Sequence, residues 1–398
     1  MKSKDVYQDS LRLHRIKKGK LAVRSKVRIR NRYALSLAYT PGVAEPCREI
    51  HRSPESIYDL TLKGNSVAVV TDGSAVLGLG NIGAEASLPV MEGKALLFKE
   101  LANIDAFPVC ISSQEIEEIV RTVELIAPVF GGINLEDISS PRCFEIESRL
   151  KKVLDIPVFH DDQHGTAVVV LAALINALKI TGRDRKDTSV VINGAGAAGI
   201  AIARFLHRYG FPDIVVCDSR GIIYRGREKG MNREKLSLLE FTNPDNIKGD
   251  LEKAIRGRDI FIGVSVPRVV TPEMVKSMRR DPIILAMANP EPEIDPVVAL
   301  KAGARIVGTG RSDYPNQINN VLGFPGIFRG ALDARAREIN EEMKIAASLA
   351  LAGVLDEEEL KEDKILPFPL DPRVVPRVAK AVEEAALRTF SARVRKGD

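Results

Sequence analysis

The sequence contains no tryptophan, few aromatic residues and only four cysteines among 398 residues. Cys47, Cys110, Cys143 and Cys217 lie far apart and form no CxxC pair, which argues against a zinc knuckle. Thiols with this spacing are typical of buried, reduced cysteines. We therefore expect a cytoplasmic protein without disulfides.

Signals for secretion or membrane insertion are also lacking. The first 18 residues are charged throughout and have no apolar core of the kind that a signal peptide needs. The longest apolar run, residues 167–175, is far shorter than the ~18–20 residues of a membrane span. With 45% hydrophobic and 28% charged residues, the composition excludes collagen-like, coiled-coil and disordered chains. We expect a globular protein with no membrane partner.

Acidic residues are missing between Asp9 and Glu45, whereas ten lysines and arginines lie between residues 12 and 32, here called the basic arm. The whole chain carries a formal charge of +5, so the rest of the protein is negative. Nucleic-acid binding is not expected, because the arm contains no Phe, Tyr or Trp and only Tyr33 follows it directly. The alternating pattern of residues 23–29 predicts an edge strand that faces water or a second subunit.

The first half of the chain alternates strand and helix patterns, which is typical of a parallel sheet. Strands are predicted at 66–74, 106–112, 130–137 and 156–162, and helices at 85–102, 113–128, 141–153 and 165–180. The strand–helix alternation starts again at residue 188, with strands at 188–193, 213–218, 259–265, 282–289 and 304–310 and C-terminal helices at 326–353 and 372–396.

We therefore predict an α/β protein of two domains. Residues 1–160 would form an N-terminal α/β domain with a mostly parallel sheet that binds substrate and metal. Residues 161–398 would form a Rossmann-type dinucleotide-binding domain, whose last helix packs back on the first domain.

Two GxGxxG motifs are present, and only one has the context of a nucleotide site. Gly78, Gly80 and Gly83 begin six residues after the first strand and turn, so the direct strand-to-helix connection is missing. The second motif follows a strand directly and opens an apolar helix, an arrangement that holds a pyrophosphate on backbone N–H groups. Its predicted contacts are Gly194, Gly196, Ala197, Ala198 and Gly199. The alternative is a turn in which glycine only allows close helix–strand packing.

The end of the next predicted strand bears on coenzyme choice. Asp218 lies 19 residues after Gly199, where a carboxylate binds the ribose hydroxyls. Its charge would repel the 2′-phosphate of NADP, whereas Arg220 would attract it. NAD is the narrow prediction, and NADP is the alternative.

Reactive side chains occur at further points where predicted strands end. Glu136 and Asp137 follow one apolar strand, and Asp161 and Asp162 follow another. Carboxylate ligands favour Mg²⁺ or Mn²⁺ over zinc, so His160 and His164 are predicted to be structural. Adjacent acids are also common in solvated turns, which is the ordinary alternative.

Two further residues stand out beside these acids. Lys94 directly precedes the apolar residues 95–98, a setting that can lower a lysine pKa toward general-base use. Tyr39 lies in a turn-rich loop. A helix-capping lysine and a packing tyrosine are the alternatives.

Together these segments resemble the short microbial malic enzymes, over about residues 10–385. The matching segments are 39–47 (YTPGVAEPC), 70–83 (VTDGSAVLGLGNIG), 92–98 (EGKALLF), 131–138 (GGINLEDI), 157–167 (PVFHDDQHGTA), 191–199 (VINGAGAAG), 286–294 (AMANPEPEI) and 319–326 (NNVLGFPG). The resemblance implies oxidative decarboxylation of malate to pyruvate and CO₂, with NAD or NADP and a divalent metal. It also suggests a homodimer or a multiple of one.

The resemblance further implies roles for single residues. Glu136, Asp137 and Asp162 would be the metal ligands. Lys94 would be the general base for the C2 hydroxyl, with Asp161 as the competing base. The remaining implied roles are proton donation to C3 by Tyr39, and contacts to the substrate carboxylate and the nicotinamide side by Asn289 and Asn320.

One departure affects the substrate pocket. Larger members of the family have Glu-Arg where this chain has Ser74-Ala75, and that arginine binds a malate carboxylate. The carboxylate must therefore find a different partner here. Two other functions stay open: a metal-free Rossmann dehydrogenase of the amino-acid or shikimate type, and a nucleotide-sensing regulator whose basic arm binds nucleic acid.

Overall fold

The computed structural model describes residues 3–76 and 78–393. The chain begins with four helices that contain no large buried cluster: Ser3–Lys17 (α1), Arg32–Ala38 (α2), Ala44–Arg52 (α3) and Ile57–Leu60 (α4). Residues 23–29, predicted as an edge strand, form no strand and are exposed, so that prediction is wrong. Lys26 Nζ of this segment lies 4.0 Å from Asp105 Oδ2. The backbone of the segment, however, pairs with no neighbouring strand, which a β-strand requires.

A parallel sheet follows, in the order β2–β1–β3–β4. Its strands are Ser66–Thr71 (β1), Asp105–Cys110 (β2), Gly132–Leu135 (β3) and Val158–His160 (β4). The connecting helices are Gly83–Ala102 (α5), Ile116–Ile126 (α6) and Arg142–Val153 (α7). β1 and β3 are buried along their whole length, as expected for apolar strands covered on both faces.

The next helix, Asp161–Thr181 (α8), begins directly after β4, so that two acids occupy its first turn. Among the described residues it is the one helix that is long and apolar enough to cross a membrane. Most of it is buried inside the protein, as in the core helix of a globular domain. Its apolar residues join a hydrophobic cluster that also includes Val67 of β1 and Val190 of the next sheet.

The second sheet has the order β10–β9–β8–β5–β6–β7 and is parallel except for the β6–β7 pair. Its strands are Ser189–Asn193 (β5), Asp213–Asp218 (β6), Gly221–Ile222 (β7), Ile260–Gly263 (β8), Ile283–Ala286 (β9) and Ile306–Thr309 (β10). Since β5 lies between β6 and β8, the strand order reverses at β5, and ligands of doubly wound sheets bind at such a point.

The helices of this half are Ala197–Tyr209 (α9), Arg233–Leu238 (α10), Leu251–Ile255 (α11), Pro272–Lys276 (α12), Pro296–Lys301 (α13), Phe324–Asp333 (α14), Glu341–Ala352 (α15) and Val374–Arg388 (α16). The predicted helix 326–353 is therefore two helices, because Asn340 caps a new start by accepting the N–H of Met343. α16 packs on α14, which in turn reaches the first sheet through Phe328 against Gly132.

The predicted α/β class with two sheets and a Rossmann-type half is confirmed. The boundary at residues 160 and 161 stays a prediction, since one hydrophobic cluster runs through both halves. The four cysteines are free, but only Cys143 and Cys217 are fully buried. Cys47 is exposed, in contrast to the expectation for all four.

Candidate active site

The predicted acids meet at the carboxyl edge of the first sheet. Because β3 and β4 are parallel neighbours, Glu136 and Asp137 after β3 lie beside Asp161 and Asp162 after β4. Glu136, Asp137 and Asp162 each direct one oxygen into a cluster whose oxygens lie within 4.8 Å of one another. An all-oxygen set of this size suits a hard divalent cation such as Mg²⁺ or Mn²⁺.

The backbone holds this acid cluster in an uncommon conformation. Asp137 has a φ of 53°, in the left-handed region that few residues other than glycine adopt. Its N–H donates to Asp162 Oδ2 at 2.9 Å, so one residue of the cluster directly supports another. Backbone strain of this kind concentrates at functional sites.

Burial and mutual repulsion shift the acids away from their ordinary ionisation. Burial, then the charges of Asp162 and Glu136, raise the pKa of Asp137 to about 9. Burial also raises the pKa of Glu136, and that of Asp161 to about 8, against the opposing pull of Lys94. A bound dication would offset the repulsion that keeps these groups protonated.

Lys94 reaches the same cluster from α5. Its Nζ lies 3.1 Å from Oε1 and 3.0 Å from Oε2 of Glu136, and it forms an ion pair with Asp161. The ammonium also lies 3.8 Å from the ring centroid of Phe324. Burial acts to lower the pKa of Lys94, but the charges of Asp161 and Glu136 outweigh it and raise that pKa. The expectation of a lowered lysine pKa is therefore wrong for this state of the protein.

The two predicted asparagines lie where the sheets approach each other. Asn320 donates its side-chain N–H to Asp161, which connects the C-terminal half to the acid cluster. Asn289 follows β9, and a Cβ on Gly78 would lie 3.8 Å from its carbonyl oxygen. The first glycine-rich loop thus lies against the loop after β9, in the second half of the molecule.

Tyr39 is not part of this constellation within the described chain. It ends α2, its side chain is 67% exposed, and no side-chain hydrogen bond joins it to the described acid cluster. By contrast, His164 is structural as predicted: its Nε2 lies 2.9 Å from the buried Glu147, and burial lowers its pKa to about 4.

The dinucleotide motif has the geometry that its sequence predicts. Gly194 follows β5 with a φ of 124°, and a Cβ there would lie 2.4 Å from the Val264 carbonyl oxygen, so only glycine fits. Helix α9 starts at Ala197 and has no side-chain cap at Gly196. The N–H groups of its first turn can therefore bind a phosphate.

Asp218 ends β6 as predicted, but two cations already hold its carboxylate. Arg227 Nη2 lies 2.7 and 2.6 Å from its oxygens, and Lys235 Nζ lies 2.7 Å away. Burial opposes ionisation, but these hydrogen bonds dominate and lower the pKa of Asp218. Sequence reasoning missed both partners, although both lie in a stretch rich in basic residues. The expected repulsion of a 2′-phosphate is largely cancelled here.

The Ser74–Ala75 pair lies against the acid-bearing loop. The N–H of Ala75 donates to the Asp137 carbonyl at 2.9 Å, and Ser74 Oγ accepts the N–H of Ser139 at 2.9 Å. Arg142, the first residue of α7, was not predicted from the sequence and donates to Ser139 Oγ of the same loop, but its guanidinium is also paired with Asp72 at 2.8 Å.

The raised carboxyl pKa values predict how stability depends on pH without metal. Asp137 and Asp161 titrate near 9 and 8 in the folded protein and near 4 when unfolded, so folding binds protons between these limits. Their contribution to stability is complete below pH ~4 and is lost as pH rises through ~8–9. In EDTA, the melting temperature should fall between pH 6 and pH 9.

Saturating Mg²⁺ should flatten the decline of the melting temperature between pH 6 and pH 9, because the cation replaces the protons. In EDTA, Asp137→Asn should make the decline smaller. Thermal unfolding followed by circular dichroism measures both effects. Identical pH slopes for the wild type and Asp137→Asn would contradict the assignment.

Comparisons with known proteins agree with this architecture. Residues 18–151 match the family model of the malic enzyme N-terminal domain, and residues 163–387 match that of the malic enzyme NAD binding domain. The chain is 60% identical to a bifunctional malic/malolactic enzyme of Bacillus subtilis, covering 97% of this chain and 94% of that protein. It is 58% identical to an NAD-dependent malic enzyme of Geobacillus stearothermophilus, covering 94% and 78%.

A solved structure agrees as well. The NAD-dependent malic enzyme of Thermotoga maritima superimposes with a TM-score of 0.91 at 49% identity, covering 94% of this chain and 98% of that one. The fold and the two sites define a two-domain α/β protein with a Rossmann-type dinucleotide-binding half. Within that class, the chain belongs to the malic enzyme family.

Proposed function

We propose that this protein catalyses the oxidative decarboxylation of malate to pyruvate and CO₂, with reduction of NAD or NADP. The observation that carries the proposal is the buried Lys94 between Glu136 and Asp161, beside an acid cluster that Asn320 of the dinucleotide-binding half contacts through Asp161. Family membership supports the same reaction.

Glu136, Asp137 and Asp162 would hold Mg²⁺ or Mn²⁺, as their oxygen donors and charge favour. When bound, such a metal supplies Lewis-acid polarisation of the C2 oxygen and stabilises the enolate formed on loss of CO₂.

Lys94 is the proposed base that accepts the C2 hydroxyl proton as hydride passes to the nicotinamide. Glu136 and Asp161 hold the ammonium in the present state, and Glu136 also belongs to the acid cluster. When Glu136 interacts with another group, its charge stabilises the lysine ammonium less. The lysine then loses its proton more easily, and Nζ can act as the base. Asp161 contacts both Lys94 and Asn320, so it can receive that proton or serve as the base itself.

Tyr39 is the proposed acid that protonates C3 of enolpyruvate. Tyr39 is exposed and does not contact the acid cluster of its own chain. We therefore propose that, in a homodimer, each active site receives Tyr39 from the second copy of the chain. The N-terminal segment supports this proposal. Helices α2 and α3 have no buried residue, and Val23 in the basic arm is 96% exposed. Such a surface is typical of a subunit interface.

The proposed coenzyme is NAD, with NADP as a second acceptor. Asp218 can orient a ribose, whereas Arg227 and Lys235 supply the positive charge that a 2′-phosphate needs. Malate and pyruvate are the proposed small-molecule partners, without nucleic acid or membrane, and the proposed location is the cytoplasm.

The reaction predicts absorbance at 340 nm only when malate and Mg²⁺ or Mn²⁺ are both present. Initial rates with NAD and NADP should be measured side by side, and both coenzymes should support turnover. EDTA should abolish the signal, and Asp162→Asn should lower kcat/KM by at least about 10²-fold through loss of a ligand. Activity that survives EDTA would favour the metal-free dehydrogenase, and no activity with either coenzyme would refute the proposal.

The shared site predicts recovery of activity from two inactive variants. Tyr39→Phe and Lys94→Gln should each lose turnover. After subunit exchange, half of the dimers would be mixed and would hold one intact site each, which restores about a quarter of wild-type activity. Each variant exchanged with itself is the matched control. If mixed tags demonstrate exchange and no activity returns, the tyrosine and the lysine of one site come from the same chain.

A further inference from the structure

A buried carboxylate with no assigned role lies beneath the dinucleotide cleft. Glu293 is 0% exposed and belongs to the segment 286–294, of which only Asn289 has a proposed function. Its Oε1 accepts the N–H of Ser265 at 2.9 Å and the Ser265 hydroxyl at 3.3 Å, and its Oε2 accepts the N–H of Ala288 at 3.0 Å. Each donor lies in a loop at the edge of the second sheet.

These hydrogen bonds connect three neighbouring strand ends. Ser265 follows β8, and Ala288 follows β9 and directly precedes Asn289. Ser265 Oγ also accepts the side-chain N–H of Asn193 at 2.7 Å, and Asn193 ends β5 just before Gly194. One carboxylate therefore links the loops after β5, β8 and β9, at the point where the strand order reverses and a dinucleotide binds.

The backbone of Gly263 lies directly against the Glu293 carboxylate. A Cβ on Gly263, the last residue of β8, would lie 2.3 Å from Glu293 Cδ, closer than any real contact. The glycine thus lets the carboxylate lie directly against the strand end. Since Asn193 continues into Gly194, displacement of Glu293 would move the phosphate-binding turn and the loop that carries Asn289 together.

We infer that Glu293 is a positioning residue for dinucleotide binding, which fixes Ser265 and Asn289 at the cleft through its contacts with Ser265 and Ala288. The inference rests on the proposed function only in requiring that the chain binds a dinucleotide. The binding test below needs neither malate nor metal.

The same two strands provide a matched control at their opposite ends. Asp259 precedes β8, is buried, and accepts the N–H and the hydroxyl of Ser189 at 2.9 and 2.7 Å, at the start of β5. This acid–serine pair shares the N–H and hydroxyl donors of the Glu293–Ser265 pair, and Asp259 also accepts Arg279 Nη1 at 3.1 Å, but it lies at the amino end of the sheet. A purely structural effect of removing a buried acid should appear equally in both places.

The test is fluorescence titration with NADH, without malate or metal, of the wild type, Glu293→Gln and Asp259→Asn. In Glu293→Gln the amide N–H₂ faces a backbone N–H donor, so one hydrogen bond is replaced by a donor–donor contact. The NADH Kd should rise about tenfold in Glu293→Gln, the effect of one net hydrogen bond. In Asp259→Asn it should change less than about twofold, even if the melting temperature falls in both.

Ser265→Ala removes the hydroxyl but keeps the backbone N–H, so it provides a milder variant should Glu293→Gln fail to fold. Its Kd should rise about threefold, since only part of the network is lost. In turnover, the KM for the dinucleotide should rise while kcat stays within about twofold. Unchanged NADH affinity in Glu293→Gln would overturn the inference. If only Ser265→Ala folds, unchanged NADH affinity in that variant would overturn it. An equal loss of NADH affinity in Asp259→Asn would also overturn it. Wild-type NADH binding without malate turnover would refute the proposed reaction alone.

Discussion

The site depends on the balance of charge around one buried ammonium. Lys94 lies among Glu136, Asp137, Asp161 and Asp162, so one cation faces four acids in a region largely shielded from water. Burial disfavours the charged forms of these acids and the neighbouring carboxylates repel one another, so the pKa values of Glu136, Asp137 and Asp161 are raised. The cluster is therefore short of positive charge, which a dication would supply.

Helix α8 gives this cluster a fixed place in the fold. Its first turn carries Asp161 and Asp162, and most of its later residues are buried in a hydrophobic cluster that also contains residues of both sheets. The same helix therefore positions the acids and joins the hydrophobic core of both halves. On the other side of the lysine, Phe324 of α14 lies against the ammonium, so the C-terminal half also shapes the polar site. Acid cluster and dinucleotide cleft are held together by ordinary core packing.

Local pattern was sufficient for much of this structure. Apolar runs that end in acids predicted both β3–Glu136 and β4–Asp161, because parallel strands bring such ends to one edge. The glycine-rich turn after β5 could also be predicted, since the spacing of its glycines follows from backbone geometry. The edge strand predicted at residues 23–29 does not form, because alternation alone does not provide a neighbouring strand for pairing.

What could not be predicted depends on contacts between distant residues. The ionisation of Lys94 was predicted with the wrong sign, since its apolar sequence neighbours are outweighed by acids from other strands. The pairing of Asp218 with Arg227 and Lys235 follows from a loop conformation that periodicity does not encode. The contacts of Glu293 could not be predicted either, because its hydrogen-bond partners lie after β8 and β9.

Binding of a divalent cation by the acid cluster can be measured by calorimetric titration of the wild type with Mn²⁺ near pH 7, in two buffers that differ in ionisation enthalpy. We expect one site per chain, with net proton release on binding, because acids with raised pKa values must lose their protons to serve as ligands. Absence of binding, or binding without proton release, would contradict it.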